Sequence, residues 1–447
     1  IGRGKRVKTS QSHVGDCRTK MNIEKKYGAV IAGAGVAGLF CALNLPAATK
    51  ALVLSKGALD ESDSYLAQGG ICMLRGEEDF DAYFKDTMRA GHFENDERAV
   101  EQMIRSSPEI IDDLIGFGVE FARDETGALR FTREGGHSRP RILFHDDVTG
   151  REITSKLLRE ARSRKNISFS EYTEMLDVVE EKGVCRGVVV RKDSKIFPVY
   201  ADNVLLAAGG VGGLYENSTN FSLLTGDAVA IALKHRIRTQ HLNYVQIHPT
   251  TFYSEKAGRR FLISESVRGE GAFILDGKGE RFVNELLPRD IVTAAIYAKM
   301  KEQNLKHVWL DVRPLGEKMI AEHFPTIRAR CLEEGYDLMR QPIPIVPAQH
   351  YFMGGIAVNG KGETSMPRVF AAGETACNGV HGKNRLASNS LLESLIWAKR
   401  AAETMALNGV SDSMPAVDLS RYENYAALKE ENRRAVLDAM QEEEQYD

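Results

Sequence analysis

Cysteine is scarce in this chain of 447 residues: there are six, and no two of them form a Cys-x-x-Cys pair. That scarcity excludes a disulfide-stabilised scaffold and the usual spacings of a metal site, and it favours a reduced, cytoplasmic compartment. A surplus of one sign of charge is also lacking, since 59 basic residues balance 62 acidic ones and the net charge is −3. A nearly neutral chain is not expected to present a broad surface to nucleic acid or to an anionic membrane.

No stretch of the sequence is apolar enough to predict a membrane span or a signal peptide. The uncharged run 27–49 contains Gly33, Gly35, Gly38 and Pro46, which favour a strand, a tight turn and a helix instead. Residues 1–20 begin with Ile and carry six basic residues against one acidic residue, without an apolar core or a cleavage site. We therefore expect 1–20 to be a non-native or disordered leader outside the fold.

Glycine is in excess, at 40 residues, and it clusters directly after short apolar runs. Three such units stand at 33–38, 207–210 and 371–373, each after a segment that is typical of a buried parallel strand. The first unit has the Gly-x-Gly-x-x-Gly spacing of a dinucleotide-binding turn. Its glycines permit a tight turn, close approach of the backbone to a pyrophosphate, and close packing of a helix on the strand.

An acidic residue is missing about 20 positions after this turn, where NAD-dependent enzymes place one to bind a ribose. Ser55-Lys56 stands there instead, so a simple NAD-dependent dehydrogenase is not expected. Three strand–glycine units in one chain indicate a larger ligand held over several strand ends, and FAD fits that better than NAD. The alternative for any one glycine-rich turn is plain packing.

The predicted fold class is α/β: a Rossmann-like FAD-binding domain, interrupted by an α+β capping domain and followed by a short C-terminal helical tail. The segment from about residue 242 to 351 differs from the rest, with mixed strands and helices and several prolines. The tail is rich in Glu, Lys and Arg, which indicates one solvated helix. The predicted divisions are 21–241 and 352–418 for the FAD-binding domain, 242–351 for the capping (substrate) domain, and 419–447 for the tail.

Several longer stretches resemble the succinate dehydrogenase and fumarate reductase flavoprotein superfamily. They are Lys56, Asp63–Gly70, Thr225–Asp227, Gln246–Thr250, Ser264–Gly271, Pro288–Val292, Pro347–Tyr351, Ala371–Glu374 and Asn384–Glu393. The likeness runs from about 27 to 405, and with Arg133–Ser138 it is closest to the branch that oxidises L-aspartate. The resemblance implies FAD as the cofactor and small dicarboxylates, L-aspartate and fumarate, as partners.

The resemblance also implies which residues contact the cofactor. They are Gly33, Gly35, Gly38, Lys56, Ser64, Ala67, Gln68, Gly69, Gly70, Asp227, Glu374, Ser390 and Leu391. Membrane-linked members attach FAD covalently through a histidine before the glutamine–glycine segment, but here no histidine occurs between His13 and His92. FAD is therefore expected to be non-covalent. By analogy, the helix that opens near Ser388 is expected to point its positive end at the flavin.

A substrate with two carboxylates needs two clamps of positive charge or hydrogen-bond donors, held rigidly against the flavin. By the resemblance, His248, His350 and Arg385 hold the carboxylates, and Ser264 supplies a hydroxyl donor. Seven histidines outside the substrate motifs are interpreted as surface or interdomain ion pairs: His92, His145, His235, His241, His307, His323 and His381.

Arg289 resembles the residue that exchanges a proton with the substrate carbon. A guanidinium is a poor base, so this role depends on neighbours that carry the proton, and Glu265 and Arg268 resemble such a relay. In the oxidative direction we expect Arg289 to act mainly as a clamp and electrostatic stabiliser.

Glu134 distinguishes the branches of the superfamily. It resembles the acid that meets the α-amino group of aspartate, a group that succinate and fumarate lack. The alternative is an ordinary loop glutamate in an acid-rich protein.

The expected activity is FAD-dependent oxidation of L-aspartate to iminoaspartate by hydride transfer to flavin N5, with reoxidation by oxygen or fumarate. The product would feed quinolinate and NAD biosynthesis, with quinolinate synthase as a functional partner. One alternative is a soluble flavoprotein of the fumarate reductase or succinate dehydrogenase type. A second alternative is a flavin-fold protein that binds a nucleotide or a protein without turnover.

Overall fold

The computed structural model describes residues 23–256 and 258–444, so the predicted leader at 1–20 lies outside the described residues. The strands in this part of the chain are β1 (Lys26–Ala32), β2 (Ala51–Leu54), β3 (Ile71–Cys72), β4 (Phe131–Thr132), β5 (Ile142–Leu143), β6 (Ile167–Ser170), β7 (Thr173–Glu181), β8 (Val184–Lys192), β9 (Lys195–Leu206), β10 (Thr239–Gln240), β11 (Val245–Phe252), β12 (Phe273–Leu275), β13 (Val308–Asp311), β14 (Ile343–Phe352), β15 (Gly355–Ala357), β16 (Val369–Ala371) and β17 (Ala376–Cys377). The α-helices are α1 (Val36–Asn44), α2 (Asp63–Leu66), α3 (Phe80–Ala90), α4 (Glu97–Gly116), α5 (Thr149–Ser163), α6 (Asp227–Lys234), α7 (Glu265–Gly269), α8 (Arg289–Gln303), α9 (Glu317–His323), α10 (Pro325–Glu333), α11 (Ser390–Leu407) and α12 (Tyr425–Glu444).

The largest sheet carries all three glycine units. Its parallel part runs in the order β6-β2-β1-β9-β16, and β8 and β7 extend it as an antiparallel meander from the first half of β9. Ala32 at the end of β1 and Ala371 at the end of β16 both pair with Leu206 at the end of β9. Because these strands are parallel, their carboxyl ends meet at one edge, where ligands of doubly wound sheets bind.

Helices cover both faces of this sheet, which explains why its central strands are apolar throughout. On one face, α1, α4, α5 and α11 bury a core that includes Phe40, Ile104, Leu157 and Trp397. On the other face, α6 packs with the β7–β9 meander over β1 and β2. The framework that positions the strand ends is therefore rigid.

A four-stranded antiparallel sheet in the order β11-β14-β13-β12 forms a second unit with α7, α8, α9 and α10. It has its own apolar core, which includes Ile263, Val292 and Ile345. Val245 at its start pairs with Phe352 at its end, so the chain enters and leaves this unit at one place. The unit is thus an insertion into the nucleotide-binding fold.

The predicted tail helix is present as α12, but it is not solvated on all sides as its composition indicated. Helix α12 buries Leu428, Val436 and Met440, and Val436 and Met440 pack in a cluster with Val211 and Phe352. These three apolar residues recur at helical spacing within a highly charged sequence. They form a narrow packing face on the helix, which the average composition of the segment does not indicate.

No helix within 23–256 or 258–444 combines the length and the apolar character that crossing a membrane requires.

Candidate active site

The turn between β1 and α1 contains three glycines, and two of them, Gly33 and Gly38, are packed too closely for a side chain. Gly33 has a φ of +122°, and a Cβ there would lie 1.9 Å from the carbonyl oxygen of Ala207. A Cβ on Gly38 would lie 1.9 Å from the carbonyl oxygen of Gly33. Gly35 lines the cavity, and a Cβ there would approach only serine side chains, nearest the Oγ of Ser64 at 3.1 Å. Gly35 therefore keeps open the space that a pyrophosphate needs.

One cavity extends from this turn into the second unit. All the predicted cofactor residues line it except Gly38, which packs inside the turn. The same cavity brings together Glu134, His248, Ser264, Glu265, Arg289, His350 and Arg385. Arg268 does not line it, but lies behind Glu265 with its Nη2 3.7 Å from Glu265 Oε1.

The lining fits a large polar ligand such as FAD. Several lining residues have a buried polar atom without a hydrogen-bond partner among the described residues: Asp63 Oδ2, Gln68 Oε1, Asn220 Oδ1, His248 Nε2 and Arg385 Nε. Buried polar groups are normally paired, so these atoms indicate that a partner belongs in the cavity.

Helix α11 begins at the cavity with Ser390 and Leu391 in its lining. Its N-cap, Asn389, makes no side-chain capping bond to the helix, since its amide oxygen accepts the hydroxyl of Tyr83 at 2.7 Å. The positive end of an 18-residue helix therefore lies beside the cavity, where it favours negative charge.

Two carboxyl groups of the cofactor wall are buried close to one another. Burial raises the pKa of Asp63 to about 7, although the N–H of Phe221 and the charge of Arg259 oppose the shift. Burial, together with Asp63, raises the pKa of Glu374 well above its usual value. Carboxyls that hold their protons can donate hydrogen bonds to a ligand as well as accept them.

Arg289, the first residue of α8, is held by two side chains of the second unit. Its Nε donates to Glu265 Oε2 across 2.5 Å, and its Nη1 donates to Gln246 Oε1 across 2.8 Å. Burial would raise the pKa of Glu265, but Arg289 and Arg268 hold it below its usual value. Glu265 therefore stays ionised, and the guanidinium of Arg289 is fixed in one orientation.

Arg385 is the second guanidinium of the cavity and lies against an aromatic ring. Its Cζ is 4.8 Å from the centroid of Tyr351, and its Nη1 donates to Ser390 Oγ across 3.2 Å. Burial and the charge of Arg289 lower the pKa of Arg385 to about 10. It remains charged at neutral pH, and two buried guanidiniums that repel each other form a site for a dianion.

His248 and His350 lie on the neighbouring strands β11 and β14, with ring centroids 5.1 Å apart. Burial, reinforced by Arg289, lowers the pKa of each well below its usual value, so both rings are neutral. The N–H of Thr250 donates to His248 Nδ1 at 3.2 Å, and we therefore assign the ring proton to Nε2. The hydroxyl of Thr219 lies 2.8 Å from His350 Nδ1 and orients that ring from the first unit.

Glu134, on the loop between β4 and β5, is buried beside the glutamine–glycine segment. Its Oε2 accepts the hydroxyl of Ser388 at 2.7 Å and its Oε1 that of Ser266 at 3.3 Å. A Cβ on Gly69 would lie 3.0 Å from Glu134 Oε1. Burial raises the pKa of this carboxyl and Glu265 raises it further, against the opposing bond from Ser388.

A buried ionic network anchors the loop that carries Glu134. Arg141 Nη1 donates to Asp86 Oδ2 at 2.8 Å and to His137 Nδ1 at 2.9 Å. The other ring nitrogen of His137 therefore holds the proton, and it donates to the carbonyl oxygen of Ala387 at 3.0 Å. This chain of bonds connects the Glu134 loop to the segment just before α11.

Sequence reasoning missed three polar residues of the site: Gln246, Ser388 and Thr219. Gln246 stands two residues before His248 on β11, and strand periodicity places both on one face, so this signal was present. Thr219 reaches His350 from a segment 131 positions earlier, and no local pattern indicates that contact. The hydroxyl of Ser264, which was predicted as a substrate donor, also accepts the N–H of Ser266 at the start of α7.

The parallel sheet and its cavity define a flavoprotein, and the family model described as "FAD binding domain" matches residues 28–391. A solved structure of E. coli quinol fumarate reductase matches with a TM-score of 0.81 and 28% identity over 91% of this chain and 74% of that chain. Adenylylsulfate reductase from Archaeoglobus fulgidus has a TM-score of 0.66 at 15% identity, over 92% of this chain and 73% of that one, and shows a shared fold alone.

Within that class, the chain belongs to the L-aspartate oxidase family. The L-aspartate oxidase of Clostridium perfringens is 46% identical over 401 residues, which are 88% of this chain and 91% of that protein. The L-aspartate oxidase of Streptomyces coelicolor is 38% identical over 438 residues, which are 92% of this chain and 75% of that protein. The resemblance inferred from the motifs is confirmed, and the cofactor is FAD.

Proposed function

We propose that this protein is an L-aspartate oxidase, which removes two electrons from L-aspartate and releases iminoaspartate. The observation that carries the proposal is the convergence of two buried guanidiniums and the buried carboxylate of Glu134 on a single cavity. Arg289 and Arg385 match the two carboxylates of aspartate, and Glu134 matches its ammonium group. The relatives named L-aspartate oxidase support the same substrate.

FAD, when bound, supplies the acceptor for the hydride that leaves the substrate Cα. The residues that would hold it without a covalent bond are those of the glycine turn around Gly35, the segment 63–70, and the start of α11. Asp63, Ser64 and Tyr65 occupy the place where covalent members of the superfamily have a histidine, which supports non-covalent attachment.

The chain's own residues hold and orient the substrate. Arg289 and Arg385 bind its carboxylates through charge-assisted hydrogen bonds, and the neutral rings of His248 and His350 add donors without adding charge. Glu134 receives a proton from the ammonium group, because the amine must lose a proton before the imine can form. The raised pKa of Glu134 makes it a stronger base than an ordinary glutamate.

Arg289 serves as a clamp and an electrostatic stabiliser during oxidation. When fumarate is the electron acceptor, Arg289 donates a proton to a carbon of fumarate and recovers one through Glu265, with Arg268 behind it. The bond of 2.5 Å between Arg289 and Glu265 supports this relay. Oxygen or fumarate completes the turnover as the electron acceptor.

The second unit acts as a capping domain, 242–351, over a FAD-binding domain formed by 21–241 and 352–418. Contacts between the two parts support closure over the cavity: Gln68 Nε2 donates to the carbonyl of Leu262 at 3.0 Å, and the hydroxyl of Thr326 donates to Asp147 at 2.8 Å.

The described cysteines are free and buried, which supports a cytoplasmic location. There the iminoaspartate enters quinolinate and NAD biosynthesis, with quinolinate synthase as the functional partner.

Anaerobic bleaching of the flavin absorbance tests this proposal. L-Aspartate is expected to bleach the purified yellow protein, whereas succinate is expected to leave it oxidised. Bleaching by succinate but not by aspartate would instead identify a fumarate reductase or succinate dehydrogenase type of flavoprotein, which the fold match to quinol fumarate reductase also accommodates. Bleaching by neither would identify a flavin-fold binding protein without turnover.

A further inference from the structure

The C-terminal helix α12 places one lysine against the wall of the cofactor cavity. Lys429 Nζ lies 2.9 Å from Glu174 Oε1 and 2.5 Å from Asp227 Oδ1. Both carboxylates belong to residues that line the cavity, Glu174 from β7 and Asp227 from the start of α6. The helix therefore contributes charge to a site from which it is distant in sequence.

A second lysine, from the end of β2, binds the same two acids. Lys56 Nζ lies 2.7 Å from Asp227 Oδ2 and 3.6 Å from Glu174 Oε1, and it also donates to the carbonyl oxygen of Leu223 at 2.8 Å. Lys56, Asp227, Lys429 and Glu174 thus form a closed ring of alternating charge, which we call the charge ring. Two of its members, Lys56 and Asp227, are residues that sequence reasoning assigned to the cofactor.

The charge ring is balanced only when both lysines are present. Glu174 is 8% exposed, and burial alone would raise the pKa of Asp227, yet Lys56 and Lys429 together hold that pKa below its usual value. Without Lys429, the buried carboxylate of Glu174 and the partly buried carboxylate of Asp227 would share one ammonium. The resulting negative charge would lie in the wall of a cavity that must accept FAD, which is itself an anion, and the two would repel each other.

Packing makes the position of Lys429 depend on the docking of the whole helix. Tyr425 donates its hydroxyl to Glu174 Oε2 at 2.6 Å. Further along α12, Val436 packs on Gly226, where a Cβ would lie 3.3 Å from it. Gly226 is the N-cap residue of α6. Helix α12 therefore contacts both acids of the charge ring and also the N-terminus of α6.

We propose that Lys429 is a positioning residue for the cofactor: by neutralising Glu174 and Asp227 together with Lys56, it keeps this wall of the FAD cavity free of excess negative charge. Docking of α12 and retention of FAD then favour each other, because a coupling free energy between two sites is reciprocal. The inference rests on the FAD-binding part of the proposed function, and it is independent of which substrate is oxidised.

The test is the dissociation constant of FAD, measured with apoprotein by flavin fluorescence in the absence of any substrate. Lys429→Met is expected to weaken FAD binding about tenfold, and Lys429→Arg is expected to stay within about threefold of the wild type. Lys399→Met is the matched control, since Lys399 also binds two carboxylates, Glu109 and Asp113, each at 2.6 Å, but lies outside the cavity lining. An equal loss in Lys399→Met, or no loss in Lys429→Met, would overturn the proposal.

Restoring the charge balance separates electrostatics from simple damage to the helix. Adding Glu174→Gln to Lys429→Met removes the excess negative charge and is expected to recover most of the lost FAD affinity. If the double variant binds FAD as weakly as the single variant, α12 acts by packing alone and the charge-ring explanation is wrong.

The wild-type protein provides a second measurement that does not depend on any variant folding. Amide hydrogen exchange in 425–440 is expected to slow when FAD is added to apoprotein, whereas exchange in α4, which does not line the cavity, is expected to change much less. Equal exchange of α12 with and without FAD would contradict the coupling. Neither outcome depends on aspartate turnover, so a failure here is distinguishable from a failure of the proposed activity.

Discussion

Glu265 and Arg289 form an ion pair that packs directly on the loop of Glu134: the Nε of Arg289 lies 2.5 Å from Glu265 Oε2, and a Cβ on Gly135 would lie 2.2 Å from Glu265 Oε1. The pair holds one guanidinium in place and brings a second carboxylate close to Glu134. This proximity is one reason why the pKa of Glu134 is raised, after the larger effect of burial.

Glu265→Gln tests the role of this ion pair in both half-reactions, the oxidation of aspartate and the reduction of fumarate. It removes the negative charge that pairs with Arg289 and leaves a hydrogen bond to an uncharged amide oxygen, and a loss of about 1.5–3 kcal/mol corresponds to a roughly 10–150-fold lower kcat/KM. We expect similar losses for aspartate oxidation and for fumarate reduction, since Arg289 takes part in both. Steady-state rates with each substrate measure this, and a loss confined to one of them would contradict the shared role.

Glu134→Gln tests the ammonium contact and should affect the two reactions unequally. The variant keeps the volume and a hydrogen-bonding group but loses the charge that aspartate requires. Efficiency with aspartate is expected to fall roughly 10–150-fold, whereas fumarate reduction changes far less because fumarate has no amino group. Arg385→Leu is the control, and it is expected to damage both reactions. Equal losses in Glu134→Gln would favour a soluble fumarate reductase.

The acid limb of the pH profile should report Glu134. Because the pKa of this carboxyl is raised in the free protein, kcat/KM for aspartate is expected to fall with decreasing pH before an ordinary glutamate would protonate. Protonation removes the base, so activity is present above the raised pKa and lost below it. Glu265→Gln removes a neighbouring negative charge and is expected to move this limb to lower pH. An acid limb that is unchanged in Glu134→Gln would show that another group titrates.

Release of the flavin tests the mode of cofactor attachment. Acid denaturation is expected to leave all flavin in the supernatant, and flavin that precipitates with the polypeptide would contradict non-covalent binding. Gly35→Val is expected to abolish FAD retention, because the side chain would occupy the space kept for the pyrophosphate. Gly409→Val is the matched control, since a Cβ at Gly409 meets nothing within 4 Å, and it is expected to keep its flavin.

Local patterns in the sequence determined the framework of the protein. The glycine turn at 33–38, the apolar strands around it and the long amphipathic helices follow from short-range sterics and periodicity, and the structure has them at β1, α1, α4 and α11. The extended motifs were sufficient to identify the flavoprotein superfamily and its L-aspartate-oxidising branch, which the comparisons confirm.

Only the tertiary structure decided how each charged residue of those motifs is used. Arg268 belongs to the same motif as Glu265 but lies behind it, and Gly38 packs within the turn instead of lining the cavity. Helix α12, which composition indicated to be solvated, places Lys429 against two acids from other parts of the chain. Burial and the charges that surround a group arise from contacts between distant segments, so no local pattern contains them.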